Sequence, residues 1–298
     1  AGFTPTGFPV GVCRCICRQI FMAQNRERRD KTVEITSRDN RLIKEWRHLA
    51  SDAAYRRRTG QFALEGARLC ADAALSDVPL SAVLLTERAR EQYAALLQPV
   101  LAAAEQVVTV SPALAAYVGE TAGTQGVFAV AARKSRDFDV LPSGRYLALE
   151  DVQDPANLGA VVRTAEAMGT DGLLLSRGCC DLYSPKVLRA SMGGVFRLPV
   201  REVASMPEAA ADWQKRGFTV YACVADRSAE KLTAVSFADG TVCLIGNEGN
   251  GLRPETVDAC TARVTIPMPG RAESLNASAA AAIVLWELCR SRCPDGEG

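Results

Sequence analysis

The chain has 298 residues, enough for one large or two ordinary domains, and its 48% of hydrophobic residues is ample for a packed core. With 35 Lys/Arg against 34 Asp/Glu the formal charge is +1, so bulk charge neither requires nor excludes a polyanionic partner. The longest apolar run, residues 277–286, is too short to span a bilayer and contains Ser278, so no membrane partner is expected.

Charge is unevenly spread: the first 60 residues hold 13 Lys/Arg against 6 Asp/Glu. A basic N-terminal part suits a polyanion, and a merely solvated basic face equally well. Eleven cysteines raise the question of metals or disulfides. Cys13, Cys15 and Cys17 alternate, Cys179 and Cys180 are adjacent, no C-x-x-C pair occurs, and the one histidine is His48. That pattern gives no standard zinc site, so no metal is expected. Most of the cysteines read as small core hydrophobes in a reducing cytoplasm.

In chain order, residues 1–30 mix Gly, Pro, Cys and Arg and make a poor signal peptide. They read as a disordered extension, with Met22 a candidate start. Residues 31–135 form a small α/β domain. A helix is expected over 37–52, where Leu42, Ile43, Trp46 and Leu49 make an apolar stripe. Arg41, Lys44 and Arg47 lie off that stripe, and Arg56, Arg57 and Arg58 follow. Strands are expected at 62–64, 83–85, 107–110 and 127–130, with an alanine-rich helix at 66–75. Residues 136–145, with Pro142 and Gly144, read as a linker.

The pattern repeats more strongly over 146–298. Strands are expected at 146–149, 172–175, 195–200, 218–224, 242–245 and 264–267. Several are continuous apolar runs, which favours a parallel sheet covered on both faces. Ligands of such a sheet bind where carboxyl ends of strands meet loops.

Three of these junctions carry unusual chemistry. The first is Asp151-Val-Gln-Asp-Pro-Ala-Asn157, followed by a helix in which Arg163 falls off the apolar stripe. An arginine there is either a functional cation or a surface residue paired with Glu166. The second is Leu244-Ile-Gly-Asn-Glu-Gly-Asn-Gly-Leu252, whose glycines let backbone amides face a ligand. It is neither a dinucleotide fingerprint nor a P-loop, because Pro254 falls where a third glycine is needed and no Gly-Lys-Ser/Thr follows. The third is Ile266-Pro-Met268, then Ser274-Leu-Asn276, at the mouth of a helix built almost wholly from alanine and larger apolar residues. Ser and Asn there suit an N-cap.

Together the three junctions resemble the SpoU (TrmH-like) branch of the knotted SPOUT methyltransferases. The match lies in Asn157-Leu-Gly with Arg163-Thr-Ala, Gly246-Asn-Glu-Gly with Gly251-Leu252, and Ile266-Pro-Met with Ser274-Leu-Asn276. More weakly, residues 35–75 resemble the ribosomal-protein-L30e-like substrate-binding domain, on Ser37, Asn40, Lys44, the arginine cluster and Glu65-Gly66.

The resemblance implies an α/β fold whose mostly parallel methyltransferase sheet ends in a trefoil knot, preceded by the smaller L30e-like domain. It implies methylation of an RNA ribose 2′-hydroxyl, most simply in 23S ribosomal RNA and alternatively in transfer RNA, by a homodimer using S-adenosylmethionine. The cofactor would be held by Cys223, Val224, Ala225, Ile245, Gly246, Asn247, Gly249, Ile266, Met268, Ser274 and Leu275. Arg163 matches the family's catalytic arginine, joined by Asn157, Glu248, Ser274 and Asn276. A guanidinium stays protonated at ordinary pH, so Arg163 is expected to clamp a phosphate and orient the hydroxyl rather than take its proton. RNA docking is expected at Arg41, Lys44, Arg47, Arg56, Arg57 and Arg58, mainly through phosphates. Two rivals are a nucleotide-dependent oxidoreductase, disfavoured by the broken glycine pattern, and an RNA-binding protein without catalysis, disfavoured by the intact polar set.

Overall fold

The computed structural model describes residues 34–121, 123–133 and 138–292. The expected extension over residues 1–30, with Cys13, Cys15, Cys17 and Met22, lies outside the described residues.

The N-terminal part runs β1 (Glu34–Ile35), α1 (Arg41–Ser51), α2 (Ala53–Thr59), β2 (Gln61–Glu65), α3 (Ala67–Leu75), β3 (Leu80–Leu85), α4 (Glu87–Gln92), α5 (Ala94–Ala103), β4 (Val107–Val110), α6 (Pro112–Val118) and β5 (Val127–Ala132). Its strands form one sheet in the order β1-β4-β3-β5-β2. Pairing is parallel from β1 through β3 and antiparallel where β5 meets β3 and β2. Helix α1 starts at Arg41 because Asn40 caps it, accepting from the Leu42 amide at 2.9 Å. Ile43, Trp46 and Leu49 form its buried stripe. Asp52 then opens a second helix by accepting from the amides of Ala54 and Tyr55 at 2.8 and 3.1 Å. The arginine cluster therefore sits on α2, which Gly60 ends at φ +67°.

The C-terminal part runs β6 (Arg145–Leu149), α7 (Pro155–Ala167), β7 (Gly172–Ser176), α8 (Pro185–Ala190), β8 (Val200–Val203), α9 (Met206–Lys215), β9 (Thr219–Cys223), β10 (Glu230–Lys231), β11 (Thr241–Ile245), α10 (Pro254–Asp258), β12 (Ala262–Thr265) and α11 (Ala277–Cys289). Seven strands lie in the order β10-β12-β9-β11-β6-β7-β8, every pairing parallel. Leu147, Leu149 and Cys243 feed one apolar cluster while Ala148, Val242 and Leu244 feed another, so the sheet is covered on both faces. Central β6 has β7 on one side and β11 on the other, which makes their carboxyl ends a switch point. After β12 the chain returns across the sheet, and α11 packs on α7, β11 and β6.

Two expected strands are displaced. Over 195–200 the apolar run reports burial rather than extension. Gly193, at φ +80°, starts a tight 3-10 turn over Gly194–Phe196 that drives Val195 and Phe196 into the core, and the strand begins only at Val200. The strand expected over 264–267 runs Ala262–Thr265 instead, ending before Pro267, which has no amide to donate.

The two parts of the chain are joined by a shared apolar cluster that includes Phe62 and Leu64 of β2, Leu158 of α7 and Phe196 of the 3-10 turn. Phe62 lies 4.7 Å from Tyr183 and 6.2 Å from Phe196, ring centre to ring centre. Beside them sits a buried ion pair. Arg56 is 4% exposed; its Nε donates to Asp181 at 2.7 Å and its Nη1 to the carbonyls of Leu49 and Ala50 at 2.6 and 3.1 Å. Arg133 approaches the other Asp181 oxygen at 3.6 Å and lies over the Tyr183 ring. This corrects the expectation for Arg56. Its guanidinium is consumed between the two parts of the chain and is not presented to RNA.

Such a pair adds little net stability when intact, yet removing one partner strands a buried charge. Asp181→Ala is expected to lower the unfolding free energy by about 3 kcal/mol or more in denaturant titrations followed by tryptophan fluorescence. A loss below about 1 kcal/mol, the range of surface pairs, would show that Arg56 finds solvent.

Candidate functional site

The carboxyl ends of β9, β11 and β12 and the cap of α11 enclose a cleft of about 360 Å³, within the range of cofactor sites. All eleven residues expected to hold a cofactor line it, from Cys223, Val224 and Ala225 at the end of β9 to Ser274 and Leu275 before α11. The sequence reading missed Leu232, Thr265 and Val284, which also line it. Val284 was within reach of periodicity, since Ala277, Ala280 and Val284 share one face of α11. Leu232 was not, because it arrives on a single 3-10 turn after the two-residue β10.

The glycine-rich loop has a specific geometric requirement. A Cβ on Gly246 would stand 2.0 Å from the Gly251 carbonyl carbon and 2.1 Å from the Leu252 nitrogen. The loop folds back on itself there: Asn247 and Gly251 exchange backbone bonds at 3.0 and 2.9 Å. The Asn247 side-chain oxygen accepts from the amides of Gly249 and Asn250, and its nitrogen donates to the Asp151 carbonyl at 2.8 Å. The loop after β11 is thereby tied to the loop after β6.

The expected polar residues form one chain of bonds. Asn276 donates to the Asn157 side-chain oxygen at 2.9 Å, and Asn157 donates to Glu248 at 3.0 Å. Glu248 also accepts from the amides of Asp154 and Gln153 at 3.1 and 3.3 Å. Asn276 at the same time caps α11, accepting from the amides of Ser278 and Ala279 at 2.9 and 3.3 Å. All three sequence junctions thus meet through side chains of Asn157, Glu248 and Asn276.

Burial pushes the Glu248 carboxyl up, but the donors from Asn157 and the neighbouring backbone outweigh it, holding the group below the usual glutamate value. A carboxylate occupied by four donors, the fourth being the Asn247 side-chain nitrogen at 3.3 Å, serves better to fix loops than to accept a substrate proton. Asp151, at φ +56°, is similarly held down: burial raises it, and the Ser176 hydroxyl and the Arg253 guanidinium more than offset this. Beneath them Glu150, 1% exposed, accepts from the Arg253 amide at 2.8 Å and the Thr256 hydroxyl at 2.6 Å. Glu150 went unread in the sequence, where an acidic residue ending a strand carries no distinguishing signal.

Arg163 is exposed on α7, with no ion pair or side-chain hydrogen bond among the described residues. Its alternative partner Glu166 is taken by Arg197, which donates to it at 2.6 and 3.2 Å. Ser274 lines the cleft with its hydroxyl unengaged by described residues. On the N-terminal part, Arg41, Lys44, Arg47, Arg57 and Arg58 are exposed. Lys44 reaches Asp39 at 2.8 Å, and Arg58 lies over the Tyr55 ring at 5.0 Å. Among the described residues no cluster of three or more side chains suits a metal ion, and no helix is long and apolar enough to cross a membrane.

Residues 144–286 match the SpoU rRNA Methylase family, and residues 40–129 match the MRM3-like substrate binding domain. The chain is 32% identical over 287 residues to the 23S rRNA (uridine(2479)-2'-O)-methyltransferase of Streptomyces viridochromogenes, covering 91% of this chain and 97% of that one. It is 28% identical to the 23S rRNA (guanosine(2553)-2'-O)-methyltransferase RlmP of Bacillus subtilis, over 86% of this chain and 98% of that one. Among solved structures it is similar to the AdoMet-bound rRNA methyltransferase of Sinorhizobium meliloti, with a TM-score of 0.76, 29% identity and coverage of 87% and 98%.

Because the folded state lowers the Glu248 value, its contribution to stability is present above about 4.5, the ordinary glutamate value, and lost as pH falls through the lowered one. Glu248→Gln is expected to be less stable than the wild type at neutral pH, with the gap in melting temperature closing on acidification. A gap independent of pH would contradict the arrangement.

Proposed function

This chain belongs to the SpoU rRNA methylase family, and on that premise we propose that it transfers a methyl group from S-adenosylmethionine to a ribose 2′-hydroxyl of 23S ribosomal RNA in the cytoplasm. The observation that carries this reading is the convergence of three separate loops on one cleft, with the Asn276–Asn157–Glu248 chain at its edge.

The cleft suits the cofactor chemically. Ile245, Ile266 and Val284 supply an apolar wall for an adenine, and the loop over Gly246–Gly251 supplies backbone polar groups for its edges and ribose. Among the described residues no lysine or arginine lines it and one carboxylate does, a balance that favours a sulfonium cation. When bound, S-adenosylmethionine supplies an electrophilic methyl group.

The protein's own part is placement. A 2′-hydroxyl is a weak nucleophile, and alignment within reach of its target is the largest single help available. Arg163, exposed and unengaged among the described residues, forks onto a phosphate beside the target ribose and orients the hydroxyl. Ser274 and Asn276 hold the ribose, and Asn157 keeps Asn276 aimed while Glu248 anchors Asn157. The proton leaves to water or to the neighbouring phosphate. The cations of α1 and α2, without Arg56, dock the RNA.

A second copy completes the reading. The outward stripe of α11 carries Ala279, Ile283 and Trp286 at i, i+4 and i+7, with Ile283 and Trp286 38% and 50% exposed. That helix packs on α7, which carries Arg163. We assign this face to a homodimer and place the trefoil knot in the same reading, with the tail after β12 threaded through the loops it packs against.

Three measurements test these assignments. Ribose-methylation mapping of ribosomal RNA from cells with and without the gene is expected to differ at a 23S position; no difference would refute the substrate. Arg163→Lys keeps the charge and loses the fork, and single-turnover methyl transfer is expected to slow on the order of 100-fold. A near-normal rate would exclude the clamp. Trp286→Glu is expected to shift the mass in light scattering from two chains to one, and an unshifted mass would move the interface elsewhere.

A further inference from the structure

A second cavity, of about 410 Å³, opens on the N-terminal part between α1 and the end of α6. Buried Trp46 and Ala50 lie at its base and Arg38, Lys44, Arg47 and Tyr117 around it. Its charge is unusual. The guanidinium carbons of Arg38 and Arg47 each lie 4.3 Å from the centre of the Tyr117 ring, and Arg47 also donates to the Tyr117 hydroxyl.

Two like charges gathered on one ring repel each other, an anion between them offsets that repulsion, and the described residues place none there. The two carboxylates of the cavity are already engaged: Asp39 with Lys44 at 2.8 Å, and Glu120 with Arg189 of α8 at 3.5 Å. Among the described residues Arg38 and Arg47 have no acidic partner. Tyr117 therefore holds two guanidinium groups ready for a negative charge that comes from outside. Cation–π contact fixes their positions at small cost, leaving the donors of Arg38 and those of Arg47 not spent on the Tyr117 hydroxyl free.

The cavity is also linked by contacts to the catalytic part. Glu65, 9% exposed, accepts from the Glu120 amide at 3.0 Å and the Thr121 hydroxyl at 2.6 Å, which anchors the loop that Glu120 occupies. Glu120 reaches α8, and α8 packs on α7 through Gly159, where a Cβ would stand 2.4 Å from that of Ala190. A chain of contacts thus runs from the loop after Tyr117 to the helix that carries Arg163.

We propose that the Arg38–Tyr117–Arg47 cluster is a subsite for one unpaired RNA nucleotide, its phosphate held by the two guanidinium forks and its base stacked on an outer guanidinium plane. This rests on the reading of the chain as an RNA methyltransferase and names the feature by which it would select its RNA. A phosphate satisfies the paired charges, and arginine planes stack readily on bases that are splayed out of a helix. A paired base keeps its faces inside the duplex, so a loop or bulge is selected over a stem. The cavity has room for a nucleotide and none for a helix.

Fluorescence anisotropy with the full chain decides it, using a fluorescein-labelled stem–loop and a fully paired duplex of equal length. Arg38→Ala/Arg47→Ala alters two exposed side chains, and an unchanged melting temperature checks the fold. The double variant is expected to bind the stem–loop about tenfold more weakly and to lose a smaller factor on the duplex, where only the phosphate contact of Arg47 is removed. The slope of log affinity against log salt on the stem–loop should fall by about 0.7, the equivalent of one single-strand phosphate. Unchanged stem–loop affinity, or an equal loss on both RNAs, overturns the subsite while wild-type methyl transfer leaves the parent reading intact. Absence of methyl transfer to total RNA by the wild type would instead overturn the parent reading, and the subsite with it.

Discussion

The side-chain amide of Asn157 is the bond on which the site depends. It accepts from Asn276 and donates to Glu248, so three loops far apart in sequence are held in one register by two hydrogen bonds. An amide is suited to this task because it carries a donor and an acceptor on one rigid plane. A carboxylate in its place would oppose Glu248, and an apolar group would leave both partners unsatisfied in a half-buried setting. The cleft keeps its shape because this relay and the folded-back glycine loop constrain each other through Asn247 and Asp151.

Asn276 links that relay to the helix behind it. Its oxygen caps α11 while its nitrogen faces Asn157, so formation of the helix and placement of the site are one event. The same economy appears at Glu150, which is buried and satisfied by the segment that leads from the glycine loop into α10. Polar groups at the carboxyl edge of the sheet thus serve to position loops as much as to present chemistry. Arg163 is the contrast. It is exposed with no counter-charge among the described residues, the condition in which a cation is available to a substrate phosphate.

The interface between the two parts of the chain follows different physics. Its centre is apolar, with Phe62, Tyr183 and Phe196 in contact, and the buried Arg56–Asp181 pair sits beside it. A buried pair costs desolvation and specifies geometry. Here it links α2 to the part of the chain that carries the methyltransferase sheet. The arginines of one short run therefore divide by role, Arg56 inward and Arg57 and Arg58 outward, as the turn of a helix requires.

Local pattern was enough to read the α/β class, the parallel sheet and the three polar junctions, because continuous apolar strands and Asn/Gly-rich ends are properties of neighbouring residues. Glycine spacing marked the loop at Gly246, and the capping preference of Asn marked the start of α11. Other features needed the folded chain. The run 195–200 became a turn and then a strand because Gly193 and Gly194 permit a bend that apolarity alone does not announce. The fate of Arg56 rested on Asp181, 125 positions away, and the cluster at Tyr117 rested on two arginines 79 and 70 positions before it. Sequence sets which groups are available and how each short stretch bends. Which charges are cancelled, and which are left facing outward, is decided by contacts between distant segments, and those exist only in the tertiary structure.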